Sequence, residues 1–275
     1  MSIRLIASDL DGTLLTDKKE IAPYTKEALL FAVREKGCCF IPATGRAFTS
    51  IPPEVTGFPG VEYVITSNGA AVYSAKSGER IYQCLLSREA VEMILSIPLW
   101  EDAAMEVFVE GNPYASAAYI ENPGAYGATS FGCAYVKRTR TSVSDIRAFA
   151  RENKERIDSI SFATANGETK KEIKERLQKE GKDIYVTSSV SHMLEIGNSS
   201  AGKGNTLAVM LERLGIAPRE AMAFGDGDND KEMLACVKYG IAMANASEDC
   251  KKAAYFVTAS NEEDGVGKAI RRFLG

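Results

Sequence analysis

The chain has 275 residues, enough for one or two domains of ordinary size. Its 33 Lys and Arg against 37 Asp and Glu give a net charge of −4, which argues against nucleic acid and against a charged membrane surface as partners. With 45% apolar and 25% charged residues the composition is that of a globular protein and excludes disorder. No apolar run approaches the ~18–20 residues of a membrane span. The first one, residues 3–7, is short and soon meets Asp9 and Asp11, so we expect no secretion signal and a cytoplasmic protein.

In the first third of the chain, short apolar runs alternate with amphipathic segments, which predicts an α/β fold with a parallel sheet. The predicted elements are a strand over 3–8, a helix over 23–36, strands over 38–43 and 63–66, and a hairpin of 71–73 and 80–83. Pro23 at the start of the helix and Gly37 after its end are typical helix boundaries.

The middle of the chain repeats this alternation. We predict helices over 87–96, 144–153 and 168–180, strands over 105–110, 135–140, 160–164 and 184–187, and irregular chain over 112–132. This segment has enough apolar residues for a core of its own. We therefore predict that residues 84–187 form an inserted α/β domain, and that residues 1–83 and 188–275 form the core domain.

The last third returns to the first style, with strands over 193–196 and 221–224 around a helix over 203–214. Six cysteines without a C-x-x-C pair, together with the single His192, argue against a zinc site. His192 itself is interpreted as a packing or surface residue. The cysteines are interpreted as buried thiols of a reducing compartment.

Two carboxylates directly follow the first predicted strand, in Asp9-Leu10-Asp11-Gly12-Thr13. Side chains at i and i+2 of extended chain lie on one side, and a position just past a strand's carboxyl end faces the crevice where open α/β sheets bind ligands. Carboxylates this close repel, so the pair needs a cation or an unequal share of protons. The motif therefore indicates a charged site, and Gly12 allows a sharp turn after it.

Three further segments fall at the same predicted sheet edge. Thr44-Gly45-Arg46 follows the second strand and offers a hydroxyl and backbone N–H groups to a phosphate oxygen. Lys203, between Gly202 and Gly204, opens a helix whose N-terminal N–H groups also attract phosphate. Residues 225–230, Gly-Asp-Gly-Asp-Asn-Asp, follow another strand and supply the hard oxygen ligands that suit Mg²⁺.

Two of these segments imitate other motifs. Residues 197–204 nearly match the nucleotide-binding loop, but Gly204 stands where that loop needs a hydroxyl for Mg²⁺. Residues 226–230 resemble the start of a calcium-binding hand, but Lys231 replaces its Gly and Val237 its Glu. Both alternatives are therefore disfavoured.

The four segments together resemble the haloacid dehalogenase superfamily of phosphotransferases. Its four motifs, in order, match Asp9–Leu15, Thr44 in Ala43-Thr44-Gly45-Arg46, Lys203, and residues 225–230. The long α/β insert, Ser67-Asn68-Gly69-Ala70 and Leu194-Glu195-Ile196 resemble the Cof-type branch. The resemblance implies a Rossmann-like, doubly wound parallel sheet core with an inserted α/β cap domain that selects the substrate.

The resemblance also implies roles at the reacting phosphorus. Asp9 would be the nucleophile that forms an aspartyl-phosphate. Asp11 would be the general acid toward the leaving oxygen and then the general base toward water. Mg²⁺ would be held by the carboxylates of Asp9 and Asp226 and by the main-chain carbonyl of Asp11.

Further roles concern the phosphoryl group and the substrate. Thr44, the Gly45 amide, Lys203 and Asn229 would bind the phosphoryl group, with Lys203 also counted as catalytic. Asp230 would orient Lys203 or a metal-bound water. Arg46, with residues of the insert, would influence the choice of substrate.

These implications describe a Mg²⁺-dependent phosphatase of small phosphorylated metabolites. The leading substrates are sugar phosphates, followed by phosphorylated cofactors such as pyridoxal phosphate or a flavin nucleotide. Two alternatives stay open: a phosphomutase, which passes the phosphoryl group to another sugar hydroxyl, and a non-catalytic protein that binds phosphorylated metabolites.

Overall fold

The computed structural model describes residues 3–98 and 100–275 of the chain, which divide into two compact units. Unit 1 holds the residues up to Gly45, Pro52–Tyr82 and Gly202–Gly275, and unit 2 holds Arg46–Ile51 and Gln83–Ala201. The strands of the described residues are β1 (Leu5–Ser8), β2 (Cys39–Pro42), β3 (Tyr63–Thr66), β4 (Ala71–Ser74), β5 (Arg80–Gln83), β6 (Ala103–Val109), β7 (Asn112–Ser116), β8 (Thr141–Val143), β9 (Ile157–Thr164), β10 (Ile184–Thr187), β11 (Met193–Asn198), β12 (Ala221–Gly225), β13 (Tyr239–Ala242) and β14 (Phe256–Val257).

The α-helices of the same residues alternate with these strands. They are α1 (Pro23–Arg34), α2 (Pro53–Thr56), α3 (Arg88–Ser96), α4 (Ala117–Glu121), α5 (Ser130–Thr139), α6 (Ile146–Glu152), α7 (Gly167–Glu180), α8 (Lys203–Leu214), α9 (Lys231–Ala235), α10 (Glu248–Ala253) and α11 (Gly265–Leu274). None of them is both long and apolar enough to cross a bilayer.

Unit 1 contains a parallel sheet in the order β14-β13-β12-β1-β2. Its central strands β1 and β12 are buried throughout, because apolar runs without alternation suit a sheet that is covered on both faces. A smaller sheet, β3-β4-β5, includes the predicted hairpin. The predicted α/β class with a parallel sheet is confirmed, and the pairing of β1 with β12 runs up to Ser8 and Phe224.

Unit 2 contains a sheet in the order β10-β11-β9-β6-β7-β8. Alternate side chains of the central strand β6 enter two separate clusters on its two faces, as the two-residue period of a strand requires. Met105, Val107 and Val109 join a core with α3, α6 and α7, whereas Ala104 packs with Tyr119 and Val136 of α4 and α5.

The predicted strand over 135–140 is wrong, because residues 135–139 belong to helix α5. The Thr129 hydroxyl caps this helix by accepting the Gly132 N–H at 3.2 Å, and Val136 is its buried residue. The alternation of Tyr135, Val136 and Lys137 imitated the period of a strand. The expectation of irregular chain over 112–132 is wrong as well, since that range contains β7, α4 and the start of α5.

The strand predicted over 193–196 exists as β11, but it lies in the sheet of unit 2, between β10 and β9. Unit 2 therefore extends to Ala201, beyond the end predicted at residue 187. It also takes in Arg46–Ile51, where both the backbone N–H and the hydroxyl of Thr49 donate to the Gly111 carbonyl at 3.1 Å. Pairing between residues distant in sequence decides both boundaries.

Candidate active site

Asp9 occupies the first position after β1, and its side chain is largely buried. Its backbone N–H donates to the Phe224 carbonyl of β12 at 3.0 Å, which continues the pairing of the two strands by one residue. The chain then turns, with Gly12 at a φ of +83°, and the Leu14 N–H donates back to the Asp9 carbonyl. The sheet thus fixes the backbone of Asp9 at its carboxyl edge.

Lys203, the first residue of α8, is buried between two carboxylates. Its Nζ lies 2.5 Å from Oδ1 of Asp9 and 2.7 Å from Oδ1 of Asp230. Burial disfavours the ammonium, but the charges of Asp230 and Asp9 more than offset this, so the pKa of Lys203 is raised above its ordinary value. The lysine is therefore a fixed positive charge at neutral pH.

Asp226 and Asp230 lie in the turn that follows β12. Oδ2 of Asp230 accepts the backbone N–H groups of Asp226 and Gly227 at 3.0 and 2.9 Å. Oδ1 of Asp226 accepts the Thr13 hydroxyl at 2.7 Å. Asp230 therefore holds both the lysine and the backbone of the turn, and Asp226 is tied to the loop that follows Asp9.

Crowding of acids marks this site. Asp9, Asp226 and Asp230 each have an oxygen within 4.8 Å of the others. Burial raises the pKa of Asp9 well above its ordinary value, against the effect of Lys203 and with that of Asp230 and Asp226. Burial, opposed by the Thr13 hydrogen bond and reinforced by Asp230, raises the pKa of Asp226 to about 6.

The donor set fits Mg²⁺, which prefers oxygen ligands and usually binds one or two carboxylates. Both oxygens of Asp230 are engaged, one by Lys203 and one by the turn backbone. The Asp9 ion pair and the Asp226 hydrogen bond each use only Oδ1. Asp9 and Asp226 would therefore supply the carboxylate ligands. Their raised pKa values show that their charged forms are disfavoured here, and a bound cation would stabilise those charged forms.

Thr44, Gly45 and Asn229 meet around one residue, Asn68, at its backbone N–H and its side-chain amide. The Thr44 carbonyl accepts the Asn68 N–H at 3.0 Å, and Nδ2 of Asn229 donates to Oδ1 of Asn68 at 2.9 Å. A Cβ on Gly45 would lie 3.1 Å from that oxygen. No role for Asn68 is predicted from the sequence, although Ser67-Asn68-Gly69-Ala70 resembles a motif of the Cof-type branch.

Asp11 stands apart from the buried acids: it is absent from the cluster that Asp9 forms within the described residues, and its carboxylate is 40% exposed. Nζ of Lys19 lies 2.8 Å from Oδ1 of Asp11. Lys19 is not predicted from the sequence, because its spacing from Asp11 carries no recognisable signal.

Arg46 belongs to unit 2 and is largely buried there. Its guanidinium lies 5.0 Å from the ring centre of Tyr135 and donates to the Ser50 carbonyl at 3.4 Å. The guanidinium of Arg140 lies 4.7 Å from the centre of the same ring, and it donates two hydrogen bonds to the buried Glu106 carboxylate. The structure thus groups the other predicted residues in unit 1 and leaves Arg46 with the insert.

The haloacid dehalogenase-like hydrolase family model matches residues 6–270. The chain belongs to this family. Phosphatase YwpJ of Bacillus subtilis is 30% identical to it over 99% of this chain and 100% of the relative. The HMP-PP phosphatase of Klebsiella pneumoniae is 29% identical over 90% of this chain and 86% of the relative.

A solved haloacid dehalogenase structure, the subclass IIB sugar phosphatase BT4131, superposes with a TM-score of 0.83 at 25% identity and covers 98% of both chains. The predicted Cof-type branch, the Rossmann-like core with an inserted cap, and a phosphatase activity are confirmed. In this haloacid dehalogenase-like phosphatase, Lys203 and the three acids around it all belong to unit 1.

Gly12→Ala should separate backbone strain from crowding at Asp226. The left-handed conformation costs a residue with a Cβ about 1–2 kcal/mol. A Cβ at Gly12 would also lie 2.5 Å from Oδ2 of Asp226, whereas one at Gly37, with a φ of +70°, would meet nothing within 4 Å. In urea unfolding, we expect Gly12→Ala and the control Gly37→Ala both to lose stability, and Gly12→Ala to lose more. Equal losses would show that the Asp226 side chain moves away from the new Cβ without a loss of stability.

Proposed function

We propose that the protein is a Mg²⁺-dependent phosphatase that hydrolyses small phosphorylated metabolites through an aspartyl-phosphate. The observation that carries the proposal is the buried ion pair of Asp9 and Lys203 beside Asp226. A carboxylate repels an anionic phosphate ester, and a fixed ammonium within reach of it offsets that repulsion. Positioning and charge placement of this kind supply most of the catalysis of phosphoryl transfer.

The first step forms a bond from an Asp9 carboxylate oxygen to phosphorus and breaks the ester P–O bond, while Asp11 gives its proton to the leaving oxygen. In the second step water attacks the same phosphorus, Asp11 takes the proton of that water, and the Asp9 carboxylate is released with inorganic phosphate. Throughout, Lys203 is a fixed counter-charge, and Asp230 keeps its ammonium in place. When bound, Mg²⁺ supplies further positive charge to the phosphoryl oxygens.

Sugar phosphates are the leading substrate class, and phosphorylated cofactors follow. Support comes from the name of the structural neighbour, a sugar phosphatase, and from that of the relative that acts on HMP-PP. Arg46, whose guanidinium lies over the Tyr135 ring in the insert, would influence the choice of substrate.

The test is the release of inorganic phosphate from a panel of sugar phosphates, pyridoxal phosphate and a flavin nucleotide, with Asp9→Asn as the blank. We expect turnover of at least one ester and none in the blank. Isomerised sugar phosphate without release of phosphate would instead indicate a phosphomutase. Binding without any turnover would indicate a binding protein.

Removal of metal gives a second prediction, with a readout besides activity. A raised carboxyl pKa stabilises the folded state below the ordinary pKa of about 4. That contribution is lost as the pH rises through the Asp226 pKa of about 6. Mg²⁺ competes with the proton on the Asp226 carboxyl. The stabilisation of the folded state by Mg²⁺ should therefore grow as the pH rises through this range. At a hundredfold excess over Kd a ligand adds about 2.7 kcal/mol.

We therefore expect EDTA to abolish activity, Mg²⁺ to restore it, and Mg²⁺ to raise the Tm more at pH 7.5 than at pH 5. Asp226→Asn should lose most of this shift, whereas Asp249→Asn, an exposed acid paired with Lys252, should keep it. Activity that survives thorough metal removal would count against the metal site.

A further inference from the structure

The turn between β3 and β4 is strained. Ser67, Asn68 and Gly69 have consecutive φ values of +49°, +54° and +96°, in the region that residues other than glycine seldom occupy. The Ser67 hydroxyl is also buried, without a hydrogen-bond partner in the described part of the chain. Such costs persist only where the surrounding structure enforces them, and they concentrate at functional sites.

The turn touches each of the three segments assigned to phosphate binding. The Asn68 N–H donates to Thr44, and its side-chain oxygen accepts from Asn229. Gly69 lies against the backbone of Gly202, so closely that a Cβ there would come within 2.7 Å of the Gly202 nitrogen. The Gly69 carbonyl accepts the Thr206 hydroxyl of α8 at 2.7 Å. The turn therefore makes several contacts beyond those that connect β3 to β4.

Asn68 combines two properties that this position requires. Asparagine tolerates the left-handed conformation better than most residues, and its amide oxygen accepts a hydrogen bond. That oxygen takes one N–H of the buried Asn229 amide, which leaves the second N–H of the same group for another acceptor. The hydrogen bond therefore fixes the plane of the Asn229 amide.

We propose that Asn68 is a positioning residue that orients the Asn229 amide toward an oxygen of the phosphoryl group. This inference rests on the proposed function, because it takes Asn229 as a ligand of that group. It accounts for the strained turn, since the left-handed backbone carries the Asn68 side chain to Asn229 and its N–H to the Thr44 carbonyl.

Asn68→Gly tests the proposal, because glycine keeps the left-handed turn and removes only the amide. A hydrogen bond to a charged group that is equally strong in substrate and transition state changes KM and leaves kcat alone. We expect KM for the best ester of the panel to rise about tenfold, with kcat within about twofold. The Kd of inorganic phosphate, measured by calorimetry with Mg²⁺ present, should rise by the same factor.

Two controls distinguish positioning from a structural role. Glu110→Gly, at a left-handed residue of unit 2 with a φ of +51°, should leave KM and Kd unchanged. In an Asn229→Ala background, Asn68→Gly should add less than about twofold, since its effect passes through the missing amide.

The outcomes also separate this proposal from the proposed function. Turnover retained by Asp9→Asn would overturn the aspartyl-phosphate mechanism, while calorimetry would still measure the effect of Asn68 on phosphate binding. Additive losses in the double variant, an unchanged Kd in Asn68→Gly, or a loss of kcat and Tm with KM unchanged would each overturn the positioning role.

Discussion

Asp9→Asn should lower the hydrolysis of p-nitrophenyl phosphate by about 10⁴-fold or more, because an amide cannot replace the carboxylate as nucleophile. The fold should persist for two reasons. The raised pKa of the Asp9 carboxyl shows that its charge is disfavoured at this buried position, and Lys203 keeps Asp230 as its partner. The measurements are steady-state rates and Tm for wild type and variant.

A second readout and a control variant make this prediction specific. After acid quench, labelled substrate should leave covalent phosphate on the wild-type protein and none on the variant. Asp249→Asn, at an exposed acid of α10, is the matched control and should retain full activity. If Asp9→Asn kept a tenth of the wild-type rate with its Tm unchanged, Asp9 could not be the nucleophile.

Lys203→Met should destabilise the protein by about 3–5 kcal/mol, the usual effect of removing one partner of a buried ion pair. Methionine leaves Asp9, Asp230 and Asp226 crowded together without their ammonium. Activity should fall as well, because the fixed counter-charge to the phosphoryl group is lost. Urea unfolding without Mg²⁺ at pH 5 and pH 8 measures the effect.

The pH dependence of this loss has a definite sign. Without the ammonium, the folded-state pKa values of Asp9 and Asp226 rise further above their unfolded values. Their protonated forms then support the fold at low pH, and this support is lost as the pH rises, so the loss should be larger at pH 8. Lys231→Met, at a half-exposed lysine 3.9 Å from Asp228, should change little at either pH.

A second variant guards against the case in which Lys203→Met does not fold at pH 8. The addition of Asp9→Asn removes one of the unpaired charges and should recover part of the stability. A loss of equal size at both pH values, or no recovery in the double variant, would show that the ion pair is not the source of the effect.

Local sequence signals predicted much of the core unit. The helix predicted over 203–214 matches α8, whose glycines flank Lys203 and whose end is Gly215 with a left-handed φ of +62°. Such signals fail where partners come from distant segments. Residues 135–140 carry a strand-like alternation, yet residues 135–139 are helical, and Tyr135 contacts the guanidiniums of two arginines.

The candidate site shows the same division. Asp9, Lys203 and Asp226 each adjoin the end of a strand or the start of a helix, so their meeting could be inferred from the order of elements. Asn68 and Lys19 could not be inferred in this way. Their contacts to Asn229 and Asp11 depend on backbone turns whose left-handed conformation the sequence does not specify.

The passage of the chain between its two units has a consequence for engineering. The chain belongs to unit 2 over Arg46–Ile51, returns to unit 1 over Pro52–Tyr82, and belongs to unit 2 again over Gln83–Ala201. A chimera that exchanged only residues 83–201 for the cap of a relative would separate Thr49 from Gly111 and Arg46 from Tyr135. A graft meant to transfer substrate preference must therefore carry the short 46–51 segment together with the large insert.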